Sequence, residues 1–270
     1  MKSLYYRSEK ISPVSLMALA VASIVVVVVV QTFPTRVSDD RREQMLAASQ
    51  LTEEAFEEIR THRQELGIRV NHGHDPWASG MLGPSMSLVT SLPGHLDAKQ
   101  TSVNPNFAAV AVHYLLESGA RPGDRVAIGC TGSFPALNIA VLAAAETLNM
   151  ETFLISSAAS SQFGANHPEQ MWPMMEKRLV DSGVLASSSL AVSRGGFRDN
   201  AIGMTANARR LLDEAIARGE RPVMDCTGLE QSIGDRLRLL TNAGGTIEEF
   251  AAYVNVGGGS ASVGGTQGND

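Results

Sequence analysis

The sequence predicts an α/β fold in which a Rossmann-like parallel sheet is flanked by helices and preceded by a transmembrane helix and a helical stalk. Three observations carry this prediction. Short apolar segments alternate with helix-like segments from residue 125 onward, residues 14–30 carry no charge, and glycine-rich turns follow several of the apolar segments. Strands that alternate with helices of this length are typical of parallel sheets with helices on both faces.

The composition fits one folded domain of ordinary size. The 270 residues are 44% hydrophobic and 19% charged, which is enough apolar material for a full core. The formal net charge is −6, and aromatic residues make up 5% of the chain. Nucleic-acid binding needs a basic surface and stacking side chains, so nucleic acid is not an expected partner.

The amino-terminal segment predicts a single membrane span. Residues 14–30 are uncharged, and with residues 31–33 they reach the roughly 20 residues that cross a bilayer. A cleaved signal peptide is the alternative, because residues 20–22 (Ala-Val-Ala) resemble a cleavage site, but cleavage there would leave six valines near the new terminus. Basic residues before the span and acidic residues after it predict a signal anchor with a cytoplasmic amino terminus and an extracytoplasmic main domain. These charged residues are Lys2, Arg7, Lys10, Asp39 and Asp40.

Six regions follow from these patterns. They are a cytoplasmic tail (1–12), a transmembrane anchor (13–34), a helical stalk (35–67), a polar loop segment (68–104), the α/β domain (105–258) and a flexible glycine-rich tail (259–270). The stalk is predicted to be helical because apolar residues recur about every three or four positions between Leu46 and Ile59.

Within the α/β domain the pattern predicts five strands and five helices. The strands are expected at residues 125–129, 152–156, 189–193, 222–225 and 249–256. The helices are expected at residues 105–116, 135–148, 168–182, 205–218 and 229–242. Asn104 and Pro105 fit the N-cap and first position of the earliest of these helices.

Small and hydroxyl-bearing residues dominate the turns that follow four of the strands, at residues 129–133, 156–164, 225–228 and 257–260. Parallel strands bring their carboxyl ends to one edge of the sheet, so these turns are expected to gather there. Glycine allows a ligand to approach the backbone, and free N–H groups at helix starts favour an anion. The expected ligand-binding residues are Thr131, Gly132, Asn138, Ser156, Ser157, Thr227, Gly257 and Gly258.

The first of these turns, Gly129-Cys-Thr-Gly-Ser133, matches no common cofactor or hydrolase motif. It lacks the spaced glycines of a dinucleotide fingerprint and the Gly-Lys-Ser/Thr ending of a P-loop, so no cofactor is expected. It also departs from the Gly-x-Ser-x-Gly nucleophile elbow. Ser133 is nevertheless a candidate nucleophile because a strand-to-helix turn would expose its hydroxyl beside backbone donors. Lys99 and His95, in the polar segment before the domain, are the candidate bases.

Cysteine and histidine are too sparse for a disulfide scaffold or an obvious metal site. Cys130 and Cys226 occupy equivalent turns and are expected on adjacent strands, either paired or packed as small hydrophobic residues. The sequence His72-Gly-His-Asp75 contains ligand types that suit zinc, but no later cluster completes a ligand set, so no metal is expected.

Several longer motifs resemble those of the poly-γ-glutamate system protein family. They are Gly-His-Leu-Asp-Ala-Lys-Gln-Thr-Ser-Val-Asn-Pro-Asn-Phe-Ala-Ala-Val at 94–110, Gly-Ser-Phe-Pro-Ala-Leu-Asn at 132–138, Ile-Ser-Ser at 155–157, Gly-Ala-Asn at 164–166 and Val-Asn-Val-Gly-Gly-Gly at 254–259. Members of that family are membrane-anchored proteins encoded with the machinery that makes or exports the polymer, so the resemblance implies a pathway but assigns no catalytic residue. It also implies a sheet truncated at its carboxyl end, or one whose edge another chain covers.

Three functions remain open from the sequence. The first is an accessory protein of poly-γ-glutamate (capsule polymer) synthesis or export that binds glutamyl carboxylates, with the membrane-bound synthase or exporter as partner. The second is a hydrolase or transferase that acts on γ-glutamyl amides with a serine nucleophile. The third is a structural assembly partner of the polymer synthase.

Overall fold

A computed structural model describes residues 12–32 and 41–263. The described chain forms two compact units that divide between Asp40 and Arg41. Most of the predicted cytoplasmic tail, residues 33–40 and the end of the glycine-rich tail from residue 264 lie outside the described residues.

The described residues form the following elements. The helices are α1 (Pro13–Thr32), α2 (Arg42–Glu65), α3 (Leu96–Ser102), α4 (Phe107–Glu117), α5 (Pro135–Thr147), α6 (Trp172–Asp181), α7 (Ala206–Arg218), α8 (Leu229–Gly244) and α9 (Ser260–Val263). The strands are β1 (Arg125–Thr131), β2 (Glu151–Ser157), β3 (Asn166–His167), β4 (Gln170–Met171), β5 (Ser189–Ser193), β6 (Val223–Met224) and β7 (Phe250–Val256). Short 3₁₀ turns occupy Phe197–Asp199 and Ile247–Glu249.

The first unit contains α1, a helix where the sequence predicts one. Its large apolar side chains from Val14 to Val29 are each between 49% and 76% exposed. Over the described part of the chain, no helix meets the length and apolarity needed to cross a membrane. The membrane span therefore stays a prediction.

The second unit has a five-stranded sheet in the order β6-β5-β2-β1-β7, in which every neighbouring pair is parallel. This arrangement confirms the predicted α/β class. The chain runs outward from β1 through β2 and β5 to β6, and then returns to place β7 on the other side of β1. The direction of winding therefore reverses between β1 and β7, which is where ligands commonly bind in open α/β sheets.

Helix α2 is part of this unit and is not a stalk that stands apart from it. Ala48, Ala55, Phe56 and Ile59 are buried in one core cluster with residues of α4 and α5. Ala55, Phe56 and Ile59 belong to the stripe that predicted an amphipathic helix, and they are buried as such a stripe should be. Leu46, the first residue of the predicted stripe, is 56% exposed. The pattern does not identify what the apolar stripe packs against. Here the stripe packs against the helical layer that covers the sheet.

The predicted boundaries fail mainly where short elements interrupt the regular pattern. The helix expected at 168–182 begins only at Trp172, because a hairpin of β3 and β4 precedes it. The segment expected to be loop at 68–104 contains α3, and the predicted tail contains α9. Two to seven residues are too few to show a clear period, so these elements leave little trace in the sequence.

The two cysteines are free, buried and far apart in strand order. Cys130, on β1, joins the main core beside Ile128, whereas Cys226 packs with Ile155 and Met224 in a separate cluster. The expectation of adjacent strands is wrong because β2 and β5 lie between β1 and β6. Burial raises the pKa of the Cys130 thiol, which fits a side chain packed as a small hydrophobe.

Candidate functional site

The turns after β1 and β2 meet at the carboxyl edge of the sheet. Thr131 and Ser157, the last residues of the two strands, are partners in the parallel register, and Gly132 N donates to Ser157 O at 3.2 Å. Further along, Ala165 N donates to Gly132 O at 2.7 Å. The loop after β2 is therefore fastened to the turn that leads into α5.

A segment from outside the regular pattern covers this edge. Ser91 N donates to Ser160 O at 2.8 Å, and Gln162 N donates to Leu92 O at 3.0 Å. The side chain of Gln162 accepts from Gly94 N at 3.1 Å. These bonds hold residues 91–94 on the loop that follows β2, and α3 begins two residues later.

Lys99, on α3, is 2% exposed and reaches into this edge. Its Nζ donates to Ser161 Oγ at 2.9 Å and to the main-chain carbonyl of Ser133, and it lies 3.7 Å from the centre of the Phe134 ring. Burial lowers the pKa of Lys99 to about 8. The ion pairs found among the described residues do not include Lys99, so no carboxylate there compensates its charge.

Four predicted site residues lie together below Lys99, but they are engaged with one another. Thr131 Oγ1 accepts from Ser133 N at 3.2 Å, and Asn138 Nδ2 donates to Thr131 O at 2.9 Å. A Cβ added at Gly132 would lie 3.0 Å from two carbonyl oxygens of the neighbouring loop. Gly132 is therefore needed for packing of that loop, and the expected approach of a ligand to its backbone is not available here.

The two serines at the end of β2 point to opposite faces, as alternate residues of a strand do. Ser157 packs beside Gly195 at the carboxyl edge. Ser156 is fully buried on the other face, 2.7 Å from Ser189 Oγ, which in turn donates to Glu176. The structure therefore places Ser156 in a buried polar network, away from the turn around Lys99.

The remaining predicted residues are split between two ends of the edge. Gly257, with φ +99°, lies close enough to Thr131 that an added Cβ would be 2.2 Å from Oγ1, while Gly258 faces open space. Thr227 follows β6, at the far edge of the sheet, where its N–H and hydroxyl both donate to Gln231. The eight residues expected in one site therefore do not form one.

The side chain of His95, the other candidate base, takes no part in the contacts around Lys99. His95 precedes α3 with an exposed side chain, and only its carbonyl participates, by accepting from Lys99 N at 3.2 Å. Lys99 contacts the main-chain carbonyl of Ser133 and not the Ser133 hydroxyl. That hydroxyl accepts from Ser161 N at 3.1 Å. The hydroxyl that contacts Lys99 belongs to Ser161, which the sequence did not single out.

A basic groove of about 480 Å³ lies on the other side of the loop that follows β2. We use this name for the depression lined by Arg63, Arg69, His74, His167 and Glu169. It adjoins the covered edge, because the His74 ring packs edge-on against Phe163 at 5.0 Å and His74 O accepts from Gln100 of α3 at 3.0 Å. No pattern in the sequence indicates that these dispersed residues meet.

The charges in the basic groove are mostly positive. Arg63 is 5% exposed and donates to Gly80 O at 3.0 Å and Leu82 O at 2.8 Å. Arg69 is exposed, and the ion pairs found among the described residues do not include it. The acid of the groove, Glu169, pairs with Arg218 at 2.8 Å.

The pKa of one histidine of the basic groove is shifted. Burial and then the charge of Arg63 lower the pKa of His167. The nearby carboxylate of Asp75 is already bonded by Ser79 N and Gly80 N, at 3.0 and 2.9 Å. Over the described residues no group of three or more histidine, cysteine or acidic side chains could hold a metal ion. The His72-Gly-His-Asp75 motif therefore contributes its second histidine to the basic groove and its aspartate to a turn.

Comparison with known proteins adds no family or relative: no family model, curated protein or solved structure matches the chain. The resemblance to poly-γ-glutamate system proteins stays a prediction.

Proposed function

We propose that the chain is a membrane-anchored accessory protein of poly-γ-glutamate synthesis or export, and that its α/β domain binds glutamyl carboxylates at the carboxyl edge of the sheet. The observation that supports the binding role is the basic groove beside the loop after β2. The groove combines the exposed Arg69 with the buried Arg63, and its acidic residue, Glu169, is paired with Arg218. Arginine is well suited to carboxylates because its donors match their planar geometry.

The groove suits a polymer with many carboxylates better than a single small anion. It is open and about 480 Å³ in volume, which is enough for a few glutamyl units but does not enclose them. Arg69 provides an exposed charge for capture. The two histidines contribute less, because His167 Nδ1 already accepts from Glu169 N at 3.2 Å and His74 Nδ1 is buried.

Binding of γ-linked glutamate oligomers to the full-length chain tests this role. We expect Arg69→Ala to raise the dissociation constant about fivefold at low salt, the effect of losing roughly 1 kcal/mol from an exposed charge pair. High salt should shrink the difference, because exposed charges are then screened. Titration calorimetry provides the measurement.

Arg121→Ala is the matched control. Arg121 is also exposed, and it lies before β1, at the opposite edge of the sheet. We expect this variant to bind as the parent does. If both substitutions weakened binding equally, the interaction would be a general attraction between cations and a polyanion. If the Arg69 variant bound as tightly as the parent, the basic groove would not be the binding site.

The membrane attachment is proposed from α1 and its flanks. A helix with exposed apolar side chains from Val14 to Val29 needs a cover, and a bilayer supplies one. The basic residues before it and the acidic residues after it orient the α/β domain to the outside. Protease added to intact spheroplasts should then digest the domain, and complete protection would contradict this orientation.

A further inference from the structure

The contact between Lys99 and Ser161 joins a buried amine to the hydroxyl of a partly exposed serine. The Nζ of Lys99 lies 2.9 Å from Ser161 Oγ, and the Ser161 side chain is partly exposed, whereas Lys99 is 2% exposed. A substrate could therefore meet the hydroxyl from outside while the amine stays covered by protein. This is the relation between nucleophile and base that acyl-transfer enzymes use.

We propose that Ser161 is a nucleophile and Lys99 its general base, in a site that cleaves or transfers acyl groups of carboxylic amides or esters. This activity goes beyond carboxylate binding, and it moves the candidate nucleophile from Ser133 to Ser161.

The surroundings of Lys99 suit a base. The neutral amine of Lys99 can donate one N–H to the Ser133 carbonyl. This bond orients the lone pair of the Lys99 nitrogen toward Ser161 Oγ. No ion pair in the described chain holds Lys99 in its charged form, and the Phe134 ring closes one side of the amine to water. Burial also lowers the pKa of Lys99 to about 8, so a useful fraction is neutral near physiological pH.

The backbone around Ser161 is fixed from both sides. Ser161 N donates to Ser133 Oγ at 3.1 Å, Ser160 O accepts from Ser91 N at 2.8 Å, and Gln162 N donates to Leu92 O at 3.0 Å. A nucleophile held in this way loses little freedom when a substrate arrives. These bonds already use the main-chain N–H groups of Ser161 and Gln162.

The chemistry balances without a cofactor. Neutral Lys99 takes the proton of Ser161 Oγ as that oxygen attacks the carbonyl carbon, and the amine or alcohol leaves with the proton from Lys99 when its bond to carbon breaks. The acyl group is then an ester of Ser161. Water attacks this ester, gives a proton to Lys99, and Ser161 Oγ leaves and recovers that proton. The products are a carboxylic acid and an amine or alcohol.

The activity and the proposed binding are separable. If both hold, the substrate is a γ-glutamyl amide, because the basic groove that binds glutamyl carboxylates adjoins the loop of Ser161 through the contact between His74 and Phe163. The nucleophile can be tested without any glutamyl ligand, so failure of one proposal leaves the other standing.

A fluorophosphonate probe tests Ser161 in the full-length protein. The serine oxygen attacks phosphorus, fluoride leaves, and peptide mass spectrometry locates the adduct. We expect the adduct on Ser161, with a labelling rate that rises with pH through the Lys99 pKa of about 8 and then levels off, because the neutral amine is the active form. Since mapping identifies the residue in the parent protein, this result does not depend on a variant that folds.

Variants then separate catalysis from packing. Ser161→Ala should abolish the adduct, and Lys99→Arg, which keeps the charge but cannot act as a base, should slow labelling by about 100-fold. The exposed Ser118, at the end of α4, gives the matched control Ser118→Ala, which should label as the parent does. Circular dichroism confirms that each variant is folded. The proposal would be overturned if no Ser161 adduct formed at pH values below and above the Lys99 pKa. It would also be overturned if folded Lys99→Arg labelled at the same rate as the parent.

Discussion

The tripeptide Cys-Thr-Gly occurs twice in the chain, at residues 130–132 and 226–228, and the two copies have different surroundings. Both connect a strand of the parallel sheet to the following helix. The first leads from β1, near the middle of the sheet, into α5. The second leads from β6, at the edge of the sheet, into α8.

Among the described residues, the first turn is covered by other parts of the protein. Thr131 is 5% exposed, and Gly132 packs against the loop that follows β2. Above them, α3 brings Lys99 to the carbonyl of Ser133. The turn therefore positions other groups, above all Lys99 and Ser161, and its own backbone is not free for a ligand.

The second turn is open. Thr227 is exposed and donates to Gln231 of α8, and a Cβ added at Gly228 would have no neighbour within 4 Å among the described residues. A depression of about 470 Å³ lies beside it, with Arg198 on its rim. It offers the free backbone that the sequence led us to expect at the first turn, but it lacks a buried lysine and the two arginines of the basic groove.

The difference shows what the tripeptide specifies and what it does not. Small residues fit the narrow connection between a parallel strand and its helix in either place. Whether that connection is covered or open depends on segments distant in sequence, here residues 91–99 and 158–165. Substitutions at the two glycines can test this comparison.

The largest effect is expected at the covered turn. In Gly132→Ala the added Cβ would lie 3.0 Å from Ala158 O and Ala159 O, and 3.1 Å from Ser160 Cβ. The backbone of the loop must shift to accept it, so we expect a loss of about 2 kcal/mol in the free energy of unfolding, within the range for overpacked positions. Urea unfolding, with comparison of midpoints at unchanged slope, provides the measurement.

The matched substitution at the open turn should cost much less. Gly228 has φ −170°, an extended conformation that any residue adopts, and an added Cβ meets nothing. We expect Gly228→Ala to lower the free energy of unfolding by under about 1 kcal/mol, through its position as N-cap of α8. Equal losses at the two glycines would mean that the first turn is not covered as described.

Much of the fold could be predicted because its signals are local. The strand at 189–193 has the predicted bounds, and α7 and α8 begin within a residue of their predicted starts. Helix α2 was predicted from its apolar stripe but wrongly separated from the domain, since a stripe records burial and not the partner. The hairpin of β3 and β4 and the seven-residue α3 are too short to show a period.

The site could be predicted only in part. Lys99 and Ser133 stood out in sequence because polar groups cluster near them, and the structure does bring these two together. Ser161 lies among similar small residues, so nothing in the local pattern distinguishes its hydroxyl from its neighbours. Arg69 and His167 are nearly a hundred residues apart, and only the closed fold places them on one groove.

Hydrogen–deuterium exchange of the full-length chain, with and without a γ-linked glutamate oligomer, locates the bound ligand on the protein. We expect slower exchange in peptides from residues 63–85 and 158–169, which form the basic groove and the loop that carries Ser161, and unchanged exchange in the peptide from residues 225–231. Protection confined to residues 225–231 would place the ligand at the open Cys-Thr-Gly turn and would contradict binding at the basic groove.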